Sequence, residues 1–599
     1  MGANTSMRKT MAVLCVAAAL WVPQAVAEKI DWARKRARLG REDKLRVLVD
    51  KVVAASNNGR MTARHMDEIR DAGFNVIVPR VGASDLRRVA RVAEMARERG
   101  MFYMAWMRGT RHTKNGTRLV WENGVVNDLY SPNADELWDW MASWILGHAA
   151  LSVKNPAIVG SFLDFENYAH PKPGDAYYLS YDEKILAEFA AARKIKPPQL
   201  PPARRYGWLV REKLFNAFRT FQINSWRRRC RRLRRQIDAI NPRFQLIVYP
   251  SPGTMFLTEA AYREWSTPEA PVILADPSLY GRPALVPEAT ALRANHSLLT
   301  RNLTRVRQWG IPLLYMGGLD PIVRGADPEF LGKSAAMSSE VSDGYWVFYE
   351  GPKYGRPDHV AYFKWFARAN REIVRGNCGL WKQPRKTPEP DSSAAVERKT
   401  DKPQLGAFGV RKHLAKQVAR HGGFEMHKLG APTLESLRRF DAVVLQNFNL
   451  SLPADDAIVR DLRRYVEGGG GLFLTHDTGW FLASPLPEVA VRARPKHKVQ
   501  AERHVFDRAM VTGGSHEALG RIKPGTRFTA EFDDHMIFRP GPKGAVLVRN
   551  AFGEAVYVAG RVGNGRVVFS GCYFGYRRAL EGPEREVFFS VLDWLRAGG

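Results

Sequence analysis

From residue 45 to about 375, short runs that are apolar throughout alternate with longer stretches whose apolar positions recur at helical spacing. The runs predict eight strands, at Leu45–Val53, Phe74–Pro79, Met101–Met107, Ala157–Leu163, Phe244–Tyr249, Val272–Ala275, Pro312–Met316 and Gly344–Tyr349. Between and after them, Thr62–Ala72, Asp85–Arg99, Glu136–Leu146, Leu209–Ile240 and Asp358–Ile373 read as helices. Strands that are apolar on both faces and alternate with helices belong to a covered parallel sheet. Eight such units over this length predict a (β/α)8 barrel, the TIM barrel. A doubly wound sheet is the competing arrangement, but no Gly-rich phosphate turn follows the early strands.

The pattern breaks at residues 384–404. Pro384-Arg-Lys-Thr-Pro-Glu-Pro-Asp-Ser-Ser393 is polar and Pro-rich and reads as a linker. Alternation then resumes over 405–599. Strands are expected at Leu405–Val410, Ala442–Gln446, Leu472–Thr475, Ala545–Val548, Ala555–Ala559 and Arg566–Ser570. Helices are expected at Lys412–Arg420, Ala457–Glu467 and Glu584–Arg596. This describes a smaller three-layer α/β domain of flavodoxin-like build. The Gly468–Gly471 run leads from a helix into a strand, whereas phosphate loops lead from a strand into a helix, so it reads as a turn.

The first 27 residues have another character. Arg8 and Lys9 precede the apolar run Met11–Val22, and Ala25-Val26-Ala27 fits a cleavage site. That run is short for a membrane span, and Leu14 before Cys15 fits a lipoprotein site poorly. An exported, periplasmic or extracellular chain starting near Glu28 is expected, with the barrel domain over 28–383. Three cysteines then remain, Cys230, Cys378 and Cys572, with no CxxC pair. Neither a zinc site nor a disulfide framework follows, and no metal or cofactor is expected.

Net charge is +30. In an exported protein this favours acidic partners, an anionic polysaccharide or envelope polymer among them. The densest run, Trp226-Arg-Arg-Arg-Cys-Arg-Arg-Leu-Arg-Arg235, places Trp226, Cys230 and Leu233 on one helical face and arginines on the rest. It reads as a solvated scaffold helix, and no nucleic-acid-binding motif accompanies it.

The candidate chemistry lies where strands end. Ile158-Val-Gly-Ser-Phe-Leu-Asp-Phe-Glu-Asn-Tyr168 is an apolar run ending in acid. Asp164 and Glu166 lie two apart and so project to one side of an extended chain. Two carboxylates among aromatics can hold different protonation states, as general acid–base chemistry requires. In a barrel the active site lies at the C-terminal ends of the strands. Those ends also carry Arg80, Trp106, Arg108, Tyr249, Asp276, Tyr315, Asp320, Trp346 and Glu350. Carboxylates that flank a bond, with aromatic and polar groups to hold rings, are what sugar hydrolysis needs. Each residue also has a plainer role open to it: the arginines could only pair with rim acids, Asp276 could cap a turn before Pro277, and the tryptophans could be core.

As an architecture, the first domain resembles the TIM-barrel glycoside hydrolases. The second resembles the class I glutamine-amidotransferase-like fold of family 42 β-galactosidase trimerisation domains and ThuA-like proteins. Its supporting residues are Phe440-Asp-Ala-Val-Val-Leu445, Tyr465-Val-Glu-Gly-Gly-Gly-Gly-Leu-Phe-Leu-Thr-His476 and Gly563-Asn-Gly-Arg-Val-Val-Phe-Ser-Gly571. The resemblance implies a carbohydrate substrate, with homo-oligomerisation through the second domain as one outcome. It also implies Glu166 as proton donor after strand four, with Asp164 tuning it. Glu350 is the first choice for the second carboxylate and Asp320 the second, because Gly317 and Gly318 stand where retaining enzymes place a Glu. Asp164-Phe-Glu166 also resembles the end of the chitinase DxxDxDxE motif, but Val159 and Phe162 replace its first two aspartates. An amidotransferase would carry a Cys in the turn Thr475-His-Asp-Thr-Gly479; here there is none, so amide hydrolysis is not expected. A catalytically silent glycan-binding scaffold and a basic envelope protein are the rival functions.

Overall fold

The computed structural model describes residues 30–53, 60–80, 85–166, 177–197, 199–281, 286–323, 326–385, 401–495, 505, 507–532 and 534–596. The expected signal segment and most of the expected linker lie outside them.

Eight parallel strands close into a barrel. They are β1 (Leu45–Asp50), β2 (Val76–Pro79), β3 (Phe102–Arg108), β4 (Ile158–Asp164), β5 (Gln245–Tyr249), β6 (Val272–Asp276), β7 (Leu313–Leu319) and β8 (Gly344–Tyr349), each paired with its sequence neighbours and β8 with β1. Their inward side chains form one core. Val47, Val49, Phe162, Ile247, Ile273, Met316 and Trp346 meet in the lumen, while Leu48, Leu163, Leu246, Leu274 and Val347 face the helices. This two-sided burial is why the strands are apolar throughout.

Some of the helices that cover the barrel start at side-chain caps. α1 (Ala63–Asp71) is capped by Thr62 and α2 (Leu86–Glu98) by Asp85, whose carboxylates or hydroxyls accept from free first-turn N–H groups. α3 (Asp135–Lys154) and α4 (Glu183–Arg193) follow. The single helix expected over Leu209–Ile240 is two, α5 (Pro202–Arg211) and α6 (Phe215–Asp238). Lys213, at φ +57°, breaks the helical path between them. On α6, Trp226, Cys230 and Leu233 are buried, with Trp226 stacked on Phe256 at 4.6 Å. Arg228, Arg231, Arg232 and Arg235 are exposed. Arg234 departs from the expected solvated face: it is buried and donates to the Phe244 carbonyl at 2.8 Å. α7 (Glu288–Arg307), α8 (Pro328–Val341) and α9 (Pro357–Val374) complete the ring.

The second domain is a nine-stranded mixed sheet. Its strands are β9 (Gln404–Phe408), β10 (Glu425–Lys428), β11 (Ala442–Gln446), β12 (Gly471–Thr475), β13 (Ala509–Thr512), β14 (Arg527–Thr529), β15 (Ala545–Asn550), β16 (Ala555–Val562) and β17 (Gly565–Ser570). Their spatial order is β10-β9-β11-β12-β17-β16-β15-β13-β14, and the first five are parallel. α10 (Lys412–His421) and α12 (Gly582–Arg596) pack on one face through Leu414, Val418, Val587 and Leu592. α11 (Ala457–Glu467) packs on the other through Ile458 and Leu462. That makes three layers. The two domains touch, with Arg293 on α7 at 3.5 Å from Asp456 at the start of α11. Among the described residues Cys230, Cys378 and Cys572 are free thiols. No described helix is long and apolar enough to cross a membrane.

Candidate active site at the barrel mouth

Ladder hydrogen bonds continue just past the strand ends and fix the mouth. Arg80 N–H donates to Asp50 O at 2.8 Å, Gly109 to Asp164 O at 2.7 Å and Phe165 to Tyr249 O at 2.7 Å. Residues in phase with the lumen side chains therefore point into the mouth: Lys51, Arg80, Trp106, Arg108, Asp164, Glu166, Tyr249, Asp320 and Glu350. Arg108, Asp164 and Tyr249 are direct ladder partners on β3, β4 and β5.

Arg80 organises this group. Its guanidinium lies 4.6 Å from the Trp106 ring and 4.9 Å from the Phe348 ring. It reaches Glu350 Oε1 at 3.3 Å and Asp164 Oδ2 at 3.9 Å. Lys51 Nζ also pairs with Glu350. Arg108 lies 3.4 Å from Asp164 and donates to the Glu166 carbonyl at 2.9 Å. The Glu166 N–H donates to Asp164 Oδ1 at 3.0 Å, and the Tyr249 hydroxyl donates to Glu166 Oε1 at 3.2 Å. The two principal carboxylates thus sit differently. Glu350 is paired with cations; Glu166 takes a phenol, beside aromatic rings.

Burial pushes the Asp164 carboxyl up to about 6, against the opposing pull of Arg108 and Arg80. Burial likewise lifts Asp320 to about 6, aided by the nearby Glu350 charge and opposed by the Ile322 N–H and Lys51. Tyr280, which the sequence reading did not single out, lies half-buried beside this group. Its ring is 5.7 Å from that of Trp346, and Asp320 and Glu166 both act on its phenol, which burial holds well above the ordinary range. Lys51 was missed too, although it lies two residues beyond Val49, in lumen phase.

The glycines of β7 have a packing cause. A side-chain carbon at Gly318 would fall 2.7 Å from the Trp346 indole, and one at Gly317 would fall 2.5 Å from Leu279. Trp346, fully buried, occupies the space and forms the floor of the mouth with Phe162 and Tyr249. It is a floor rather than an exposed sugar platform.

Two expected substrate-binding residues lie elsewhere. Ile273 and Ala275 point into the barrel, so Asp276 points out. It accepts from Asn302 Nδ2 at 3.0 Å and from the Tyr315 hydroxyl, and caps its turn through Ser278 N–H at 2.7 Å. Tyr315 faces the helices in the same way. Arg80 and Arg108, expected at the sugar, are engaged by the rim acids. Among the described residues no group of three or more His, Cys, Asp or Glu side chains gathers as a metal site would require.

In the second domain, His476 takes the turn position after β12 with φ +48°. Its Nε2 is 3.1 Å from Asp534. Cys572 is buried, and burial pushes its thiol up, away from the thiolate a nucleophile needs.

No protein-family model matches the chain, and no curated protein matches its sequence. Solved structures resemble it in fold. The exo-β-1,4-mannosidase Op5Man5 from Opitutaceae bacterium strain TAV5 is 12% identical, with 92% of this chain and 93% of that one covered and a TM-score of 0.30. A β-galactosidase from the psychrophilic Marinomonas ef1 is 12% identical, with 92% and 91% covered and a TM-score of 0.39. A ThuA-like protein from Bacteroides uniformis is 14% identical; it covers 34% of this chain and 94% of its own, with a TM-score of 0.25. At these identities and scores the likeness is one of fold alone. The chain is a (β/α)8 barrel joined to an α/β domain, and what it does has to be argued from its own residues.

Proposed function

We propose that the barrel mouth is the active centre of an exported glycoside hydrolase that cleaves an oligo- or polysaccharide by carboxylate acid–base catalysis. The observation that carries this reading is the unequal setting of two carboxylates on facing parts of one rim: Glu166 with a phenol, Glu350 with Lys51 and Arg80. Separate environments give two carboxylates separate roles. Glu166 is the proton donor to the glycosidic oxygen, held by Tyr249. Glu350 acts as a charge, either as nucleophile or as base for water. Asp164 fixes the Glu166 backbone and adds a neighbouring charge, and Asp320 is the alternative second carboxylate. The separation of the two reacting carboxyl groups sets the outcome: about 5–5.5 Å for retention and about 6.5–9.5 Å for inversion.

The same reading takes residues 1–27 as the export signal, 28–383 as the catalytic domain, 384–404 as the linker and 405–599 as a domain for assembly or substrate access. Self-association belongs to it and is measured by sedimentation of the mature chain. A net charge of +30 supports an anionic glycan. Screening the mature protein against neutral and acidic polysaccharides, with Glu166→Gln as control, tests the proposal. Hydrolysis that persists unchanged in Glu166→Gln removes the acid from this strand.

One observation favours a second reading. Arg80 and Lys51 already pair with rim acids, as they would in a glycan-binding scaffold without turnover. Glycan binding without hydrolysis by the wild-type chain would select it.

A further inference from the structure

Between the barrel and the second domain runs a cleft of about 1150 Å³. One wall is formed by residues 277–281 after β6 and by α7; the other is formed by the loops after β9 and β11, with Trp480 and Tyr573. Tyr280 lines it as well. That ring also lies against Trp346 of the barrel mouth, so the cleft begins where the candidate active site ends.

The charge of the cleft is one-sided. Arg305, Arg411, Lys412 and Lys428 line it, and none of its described lining residues is Asp or Glu. It occupies the place where an open α/β sheet binds ligands. β9 has β10 on one side and β11 on the other, so the chain order reverses at β9, and the loops at the carboxyl ends of β9 and β11 meet in the cleft. The β9 loop is fitted closely to its neighbour. At Gly409, φ +71°, a side-chain carbon would fall 1.8 Å from the Gln446 carbonyl oxygen. α10 then begins without a side-chain cap, which leaves its positive end available to an anion.

Two further groups point to an absent ligand. Asn295 Nδ2 on α7 and Ser451 Oγ after β11 are buried, line the cleft from opposite walls, and have no hydrogen-bond partner among the described residues. Buried polar atoms in native folds are almost always satisfied. A ligand with oxygen acceptors and hydroxyls suits both, and the half-buried Trp480 ring borders the same space.

We infer that this cleft is a binding site for the acidic sugars of a carboxylated or sulfated glycan, continuing the barrel mouth past Tyr280. The choice of a sugar as ligand rests on the glycosidase reading above; the choice of an anion does not.

The test uses the full mature chain carrying Glu166→Gln, so that no probe is consumed, titrated calorimetrically with hexagalacturonate, a heparin hexasaccharide and neutral cellohexaose. One acidic hexasaccharide should bind at least tenfold more tightly than cellohexaose; which one identifies carboxylate or sulfate. Lys428→Glu and Arg411→Ala, both at exposed side chains, should each weaken it about tenfold or more, with unchanged circular dichroism. Acidic probes that bind no better than cellohexaose, or bind both variants as they bind the parent, overturn the inference. So does displacement by inorganic phosphate at concentrations comparable to the hexasaccharide, which would mark a simple phosphate site. Hydrolysis by the wild-type chain is scored separately. Loss of turnover in Glu166→Gln with cleft variants that bind normally removes the cleft and leaves the glycosidase. Cleft-dependent binding of acidic sugar with Glu166→Gln as active as the wild type removes the proposed acid and leaves the cleft.

Discussion

The barrel mouth and the interdomain cleft are both built at the carboxyl ends of parallel strands, yet they carry opposite chemistry. The mouth gathers carboxylates and neutralises them: Arg80 spans Asp164 and Glu350, and Arg108 serves Asp164 and the Glu166 backbone. The described lining of the cleft carries cations and no Asp or Glu. A carboxylate that moves protons needs partners that set its charge, whereas a site that holds an anion needs an excess of positive charge. The difference separates a centre suited to chemistry from a surface suited to grip, with Tyr280 between them.

The largest effect that could break this contrast is on turnover. Glu350→Gln should lower hydrolysis about as far as Glu166→Gln, by roughly 10²–10⁴-fold for loss of such a group, while Asp320→Asn should be mild. A reversed order in steady-state kinetics would move the second carboxylate from β8 to β7. Next comes stability. Arg80→Ala leaves the buried Asp164 with one of its two cations gone, and losing a partner of a buried pair costs about 3–5 kcal/mol. Chemical denaturation measures this; a loss below about 1 kcal/mol, the scale of a surface pair, would place Arg80 among ordinary rim charges.

A smaller effect is pH-dependent. The folded pKa of Asp320 is raised to about 6 by burial, so the fold disfavours its ionised form. Its protonated form is the better tolerated one, and this group lowers wild-type stability as pH rises from about 4 to about 6. Asp320→Asn removes that component and keeps an acceptor for the Ile322 N–H. Relative to wild type, the variant should gain stability across that window, on the order of 1–2 kcal/mol. Melting curves at pH 4 and pH 7.5 with no change in the difference would contradict the burial argument. The smallest effect belongs to the charged scaffold helix. Arg228→Ala and Arg232→Ala, on its exposed face, should stay within about 0.5 kcal/mol of wild type.

Much of this was legible in the sequence, for identifiable reasons. β8 and β11 match their expected bounds because apolar runs between polar residues leave little choice. Asp164 and Glu166 were readable because their spacing of two keeps them on one face whichever way the pleat runs. Asp276 was not. Val272–Ala275 is apolar on both sides, so the run cannot tell which residues face the lumen, and Asp276 emerged toward α7. The break at Lys213 escaped because the residues around it continue the helical pattern. The cleft had no sequence signature at all. Its walls come from parts of the chain well separated in sequence, and only tertiary packing brings Asn295 and Ser451 to one cleft.

The most direct measurement of the central claim compares two substrates of the sugar that the wild-type chain proves to cleave: the natural glycan and its dinitrophenyl glycoside. A dinitrophenolate leaves without a proton, whereas a sugar alkoxide needs one. Glu166→Gln should lose most of its turnover on the glycan and keep a far larger fraction on the dinitrophenyl glycoside. Equal losses on both substrates, or none on either, would contradict Glu166 as the proton donor of this barrel.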